Sequence, residues 1–171
     1  AATDAAAEDT GPRTVEHAMG STDVPASPER VVVLDSSMLD SAVALGVTPI
    51  GATEGLAGAG LPPYLGEETI DDIELVGLTT TPNLEAIAAL QPDLIIGAKV
   101  RHEGIYDQLG QIAPTVFSES SGTDWKSQVR LTGEALGKAD QAEELLTEFD
   151  TRAAEVGETI GAEGRTATIV R

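Results

Sequence analysis

Cysteine is missing from the whole 171-residue chain, so no disulfide framework, thiolate nucleophile or cysteine-ligated metal can be built from it. Basic side chains are scarce as well, 10 against 29 acidic ones, for a net charge of −19. No long basic stripe offsets that excess, and a chain so acidic repels phosphate backbones, which argues against nucleic acid as a partner. Aromatic residues number only five. No run of about 18 apolar residues exists to span a membrane, and no apolar secretion signal opens the sequence. Its start therefore implies either a cytoplasmic protein or a chain that begins after processing. What is present is a 41% apolar composition, enough for one well-buried α/β domain.

Residues 1–12 open with small and polar side chains and no apolar period, which predicts a flexible leader. Two short extended stretches around Met19-Gly20 predict a hairpin. Strand-like and helix-like segments then alternate. The run Val31 to Leu34 is β-branched, as in a strand buried on both faces. Ser36 or Ser37 is a candidate cap for the following helix, which Gly46 ends. Further strands are expected at Thr48–Ala52, Ile73–Val76, Leu94–Gly97 and Thr115–Phe117. A Gly/Pro-rich loop runs from Glu54 to Gly66, Asn83 caps a helix ending before Pro92, and Glu103–Ile112 reads as one short amphipathic helix. This order predicts a Rossmann-like, mostly parallel sheet with helices on both faces.

The last third differs. Trp125, Val129, Thr132 and Leu136 fall at helical spacing up to Gly137. Asp140 with Glu143 makes a D-x-x-E capping pattern. Ala142, Leu145, Leu146, Phe149, Ala153, Val156 and Ile160 then continue an apolar stripe, for a helix roughly 30 Å long. Strand-like alternation in RTATIVR, at residues 165–171, suggests the beginning of a second domain. A free terminal strand of that kind would also allow self-association with a second copy.

The search for catalytic chemistry returns little. GATEGLAGAG has neither the Lys-Ser/Thr of a P-loop nor G-x-G-x-x-G spacing, and reads as a surface loop. No G-x-S-x-G elbow surrounds Ser36 and Ser37. Asp71-Asp72 point to opposite faces of an extended chain and fit a solvated turn. His17 and His102 lack a partner at ligand spacing, so no protein metal site is expected. One constellation remains: Lys99, Arg101 and His102, two of the ten basic residues among them, at the C-terminal end of a strand. Ligands of open α/β sheets bind outside those ends, and cations there can meet anionic or oxygen-rich ligands. Ordinary solvated charges would account for the same pattern.

The stretches VPASPERVVVLDSSMLDSAVALGVTPIGA, PNLEAIAALQPDLIIGAKVRHEGIYDQLGQIAPTVF and DWKSQVRLTGEALGKADQAEELLTEFDTRAAEV resemble the substrate-binding proteins of iron–siderophore ABC importers, the class III periplasmic-binding-protein family. The resemblance runs from about Thr14 to Arg171, and P-D-L-I-I followed by I-A-P-T carries most of its specificity. It implies an N-terminal α/β lobe over 13–138, an interlobe backbone helix over 139–161 and the first strand of a C-terminal lobe over 162–171. The second lobe, and part of the ligand pocket with it, is missing, since the family's chains are nearly twice as long.

The resemblance further implies an extracytoplasmic protein, periplasmic or held at the cell surface by a lipid on a cysteine just upstream of residue 1. Residues 1–12 would then be the tether. By motif, Arg101 matches the basic position that in the family binds the oxygens around ferric iron. Glu85, in P-N-L-E, matches the acidic residue that docks on permease arginines, and it also suits the first-turn dipole of its own helix. His102, Tyr106, Tyr64 and Trp125 are further ligand-binding candidates, though core or rim placement would explain them equally.

The expected function is capture without catalysis. A ferric siderophore, of hydroxamate type given so acidic a chain, would be bound and delivered to an ABC permease. Iron would be held by the siderophore, so no cofactor and no protein metal ligand are required. The alternatives are a corrinoid- or haem-binding protein of the same fold and a small α/β enzyme, against which the missing nucleophile elbow and dinucleotide loop both count.

Overall fold

Three consecutive valines, Val31–Val33, form the strand at the middle of the sheet (β3), because a central parallel strand has helices on both faces and must be apolar on both. The computed structural model describes residues 11–161, 164 and 166. Around β3 the strands Gly51–Glu54 (β4), Glu74–Leu78 (β5), Thr81–Pro82 (β6), Leu94–Ala98 (β7) and Thr115–Ser118 (β8) complete a six-stranded sheet of order β6-β5-β4-β3-β7-β8. Every neighbouring pair is parallel except β5 with β6. Ahead of the sheet, Arg13–His17 (β1) and Gly20–Val24 (β2) pair as an antiparallel hairpin. Its turn is Ala18-Met19, with Gly20 already inside β2, one position earlier than the sequence suggested.

Side chains alternate across the sheet and divide the core in two. Val31, Val33, Leu94, Ile96, Ala98 and Val116 face one layer; Val32, Leu34, Ile95 and Phe117 face the other. Helices Ser36–Ala44 (α1) and Trp125–Leu136 (α6) cover the first face. Helix Leu84–Ala89 (α3) and the segment carrying Leu109 cover the second. A short helix, Glu67–Asp71 (α2), connects β4 to β5, and Asp71 and Asp72 are exposed there as expected.

The two recognisable sequence motifs turn out to be architectural. In P-D-L-I-I, the Asp93 carboxylate accepts from the backbone N–H groups of Glu29 (2.8 Å) and Arg30 (2.9 Å), fastening the entry of β3 beside that of β7. In I-A-P-T, the Pro114 carbonyl accepts from Ile95 N (2.9 Å) and registers β8 on β7.

Three local expectations need correction. The first helix is capped by Asp35, whose carboxylate accepts from Ser37 N, and not by either serine. The expected Glu103–Ile112 helix is instead a 3-10 turn at Glu103–Ile105 followed by Tyr106–Gly110 (α5), and a separate short helix, Lys99–His102 (α4), precedes them. The backbone leaves helical geometry at His102 (φ −120°, ψ 4°) and again at Ile105 (φ −117°, ψ 6°). The long helix Ala139–Thr159 (α7) has no side-chain cap: Lys138 is its N-cap, and Glu143 instead accepts from Arg130 Nε (2.6 Å) of α6. An ion pair between helices has replaced the local capping box.

Only the first half of α7 is covered. Ala142 and Leu146 are buried against α6, whereas Phe149, Val156 and Ile160 at the same helical spacing are 50%, 44% and 60% exposed. RTATIVR lies almost wholly outside the described residues, as does the leader up to residue 10.

Candidate ligand-binding site

Strand connections run from β3 to β4 and β5 on one side, and the chain then returns to place β7 on the other side of β3. The carboxyl ends of β3 and β7 therefore flank a topological switch point, where open α/β sheets form a crevice for ligands. Asp35 follows β3 directly, and Lys99 and Arg101 follow β7, so all three meet there. Arg101 Nε donates to Asp35 Oδ2 at 3.0 Å; the aspartate side chain is 2% exposed and that of the arginine 43%. From the loop after β8, Glu119 pairs with Lys99 Nζ at 3.5 Å. Lys99, Val100, Arg101, Glu103, Gly104 and Glu119 line an open recess of about 440 Å³.

Asp35 was not a sequence candidate, because the sequence pattern assigns the capping role beside it to Ser36 or Ser37 and nothing local marks its distant partners. Its carboxylate does cap α1, but it also accepts from Ser37 Oγ (2.8 Å), Ser121 Oγ (2.9 and 2.8 Å to its two oxygens) and Arg101. A buried carboxylate needs such saturation with donors to offset its removal from water. Ser121 and Glu119 were equally hidden, since only the sheet brings β8 beside β7.

Sequence candidates distribute unevenly over this geometry. Arg101 stands in the recess. His102 does not, which corrects the expectation for that residue: its ring is buried at 1% exposure. Nδ1 accepts from Ala98 N (3.2 Å), so the proton resides on Nε2, which donates to the Thr79 carbonyl (2.9 Å) and ties β7 to the end of β5. Tyr106 also packs away from the recess. It stacks edge-on against Phe117 (5.1 Å), with its hydroxyl 3.5 Å from the Thr115 carbonyl at the opposite, amino end of β8.

Tyr64 is 70% exposed on the loop after β4, its hydroxyl donating to Asp40 of α1 (2.9 Å). Burial raises the Asp40 carboxyl above its usual range, partly offset by that hydrogen bond. Trp125 opens α6 and meets Phe149 of α7 edge-on at 4.8 Å, fastening the two helices outside the recess lining. Glu85 is exposed in the first turn of α3, after the antiparallel strand β6, and is not among the residues lining the recess. His17 pins the hairpin to β8: its Nδ1 accepts from Phe117 N (3.3 Å) and its Nε2 contacts Thr22 Oγ1 (2.8 Å).

Burial lowers the pKa of His102, and of His17, below the ordinary 6.5. In the unfolded chain these imidazoles take up protons near pH 6.5, before the folded state can. Acid therefore favours unfolding, and the stability present above about pH 6.5 is lost as the pH falls toward the lower folded values. Urea midpoints should drop between pH 7.5 and 5.5. His102→Gln should be less stable at pH 7.5 yet show a shallower drop; an unchanged slope would count against a buried neutral His102.

Among the described residues no group of three or more His, Cys, Asp or Glu is arranged to hold a metal ion. Among the same residues no helix is long and apolar enough to cross a membrane.

The family model for periplasmic binding proteins matches residues 31–171. A probable siderophore-binding lipoprotein of Bacillus subtilis is 45% identical over 161 residues, covering 93% of this chain and 49% of the relative. An Fe(3+)-citrate-binding protein of the same organism is 37% identical over 139 residues, covering 80% and 44%. Among solved structures, Staphylococcus aureus SirA complexed with staphyloferrin B superposes with a TM-score of 0.82 at 40% identity, covering 88% of this chain and 51% of that one. The chain thus spans about half the length of the relatives it matches.

Proposed function

The chain belongs to the periplasmic binding protein family, and on that premise we propose that it is the ferric-siderophore-capturing lobe of an extracytoplasmic binding component of an ABC importer. The observation that carries this reading is Arg101, held at the switch point through its Nε by a buried carboxylate and lining an open recess. The names of the relatives, among them siderophore and ferric citrate binders, support the same cargo. In this reading the chain performs no catalysis. The siderophore chelates the iron, and the protein supplies charge-assisted hydrogen bonds to the chelating oxygens. α7 would lead away to a second lobe that closes over the ligand, and a lipid upstream of residue 1 would hold the protein at the membrane.

Local charge bears on the class of siderophore. Two cations on the recess, Lys99 and Arg101, are matched by Glu103 and Glu119, with Asp35 beneath. A recess without net positive charge suits a ferric hydroxamate of low charge better than a strongly anionic catecholate complex. Tryptophan-fluorescence titration of the purified protein, with any flanking segments its gene encodes, should show saturable quenching by ferrioxamine. Ferric citrate and a ferric catecholate serve as the competing arms. No response to any of the three would sink the assignment.

Delivery to the permease would use Glu85. Glu85→Lys should leave siderophore affinity unchanged, because the residue is not in the recess lining, but should stop uptake of radiolabelled iron by whole cells. Undiminished uptake by that variant would remove Glu85 from the docking surface.

A further inference from the structure

We propose that Asp35, buttressed by Ser121, is a positioning residue that presets the guanidinium of Arg101 for ligand oxygens. The inference rests on the function proposed above and extends it to residues outside the recess lining. A guanidinium carries five N–H donors in a rigid planar fork. Asp35 takes the donor nearest the stem, Nε, at 3.0 Å. Among the described residues neither terminal nitrogen of Arg101 makes a hydrogen bond, so the four outer donors are left for a ligand.

Fixing Nε fixes the plane of the fork, and with it the direction in which those donors point. A free arginine on a surface would lose rotamer freedom on binding; one already held has less to lose. The carboxylate is itself locked. Ser37 N and Ser37 Oγ bond Oδ1 from the start of α1, and Ser121 Oγ bridges both oxygens from the loop after β8. Elements following three neighbouring strands, β3, β7 and β8, thus converge on one buried group. A cap alone would require only the bond to Ser37 N.

Asp35→Asn isolates this role, since asparagine caps helices as well as aspartate does and keeps an acceptor oxygen. Ser121→Ala is the second, milder variant. Two measurements are made on 15N-arginine-labelled protein and on matched unlabelled protein. The heteronuclear NOE of the Arg101 Nε–H reports its mobility without any ligand, and fluorescence titration with ferrioxamine reports affinity. The expected result is a rigid Nε–H in the parent protein and a mobile one in Asp35→Asn. Affinity should fall roughly tenfold in that variant and less in Ser121→Ala, with little further loss when Asp35→Asn is added to Arg101→Ala.

An Nε–H equally mobile in parent and variant would overturn the proposal, whatever the ligand. So would full affinity in Asp35→Asn, or an undiminished loss in the Arg101→Ala background, which would mean that Asp35 acts through the fold alone. A rigid Nε–H in a parent protein that binds no ferric chelate would instead overturn the proposed function, and leave the contact between Asp35 and Arg101 standing.

Discussion

Arg101→Ala should weaken ferric-siderophore binding by about tenfold to a hundredfold while leaving the fold intact. Hydrogen bonds to charged groups contribute about 1.5–3 kcal/mol, and each 1.4 kcal/mol is a factor of about ten in affinity. The side chain is 43% exposed and follows β7 in the short helix α4, so removing it opens no cavity in the core. It does strand Asp35, but that carboxylate keeps Ser37 and Ser121 as donors. Arg101→Lys is the sharper comparison. An ammonium can reach either Asp35 or the ligand, but it has no fork with which to hold one and present donors to the other. Lysine should therefore recover little of the lost affinity. Thermal midpoints within a few degrees of the parent, together with the weakened titration, would confirm the role; wild-type affinity in both variants would remove Arg101 from the site.

Gly137→Val should be the most destabilising single substitution proposed for this chain, costing about 3 kcal/mol or more in urea unfolding. Gly137 ends α6 in the left-handed region, at φ 74° and ψ 25°. A β-branched residue is a genuine outlier there, and the left-handed backbone costs an L-residue roughly 1–2 kcal/mol. Space is also lacking. A Cβ built at Gly137 would stand 2.4 Å from the Ala26 carbonyl oxygen, which is backbone and has no rotamer by which to yield. Overpacking of this kind adds about 1–3 kcal/mol.

Gly46 provides the control, since its φ is 76° and its Cβ direction is open. Gly46→Ala should cost only about 1 kcal/mol, the backbone contribution alone. Equal destabilisation by Gly137→Ala and Gly46→Ala would show that the clash with Ala26 relaxes freely. A large difference would identify the corner between α6 and α7 as a fixed joint. That joint sets the course of the long helix, because Lys138 N also bonds back to the Gly133 carbonyl at 2.7 Å.

Much of the lobe could be read in advance because it depends on local rules. Val31–Leu34 and Leu94–Gly97 are apolar on both faces only because both lie inside a parallel sheet. Gly137 and Asn83 mark helix ends through φ and side-chain capping, and both do so in the structure. The misplaced elements share a cause. Asp140 and Glu143 make a sound capping pattern, yet Arg130 on the neighbouring helix takes Glu143 for an ion pair. Glu103–Ile112 has a helical pattern, yet the chain leaves helical geometry beside a histidine whose ring is bonded to Ala98 and Thr79. In both cases a partner distant in sequence sits beside the local preference, and no window of neighbouring residues contains that partner.

Composition, periodicity and motif spacing were sufficient for the mostly parallel α/β lobe, the long helix that follows it, the family resemblance and the placing of Arg101 at a strand end. Each follows from interactions between residues close in the chain, or from a motif that retains its order. Tertiary structure alone decided that Asp35 lies beneath Arg101, that Ser121 and Glu119 join them from the loop after β8, and that His102 turns into the core. Those contacts span 66 residues from Asp35 to Arg101 and 86 from Asp35 to Ser121. They form only where strand order places the ends of β3, β7 and β8 side by side, and that order is a property of the whole sheet.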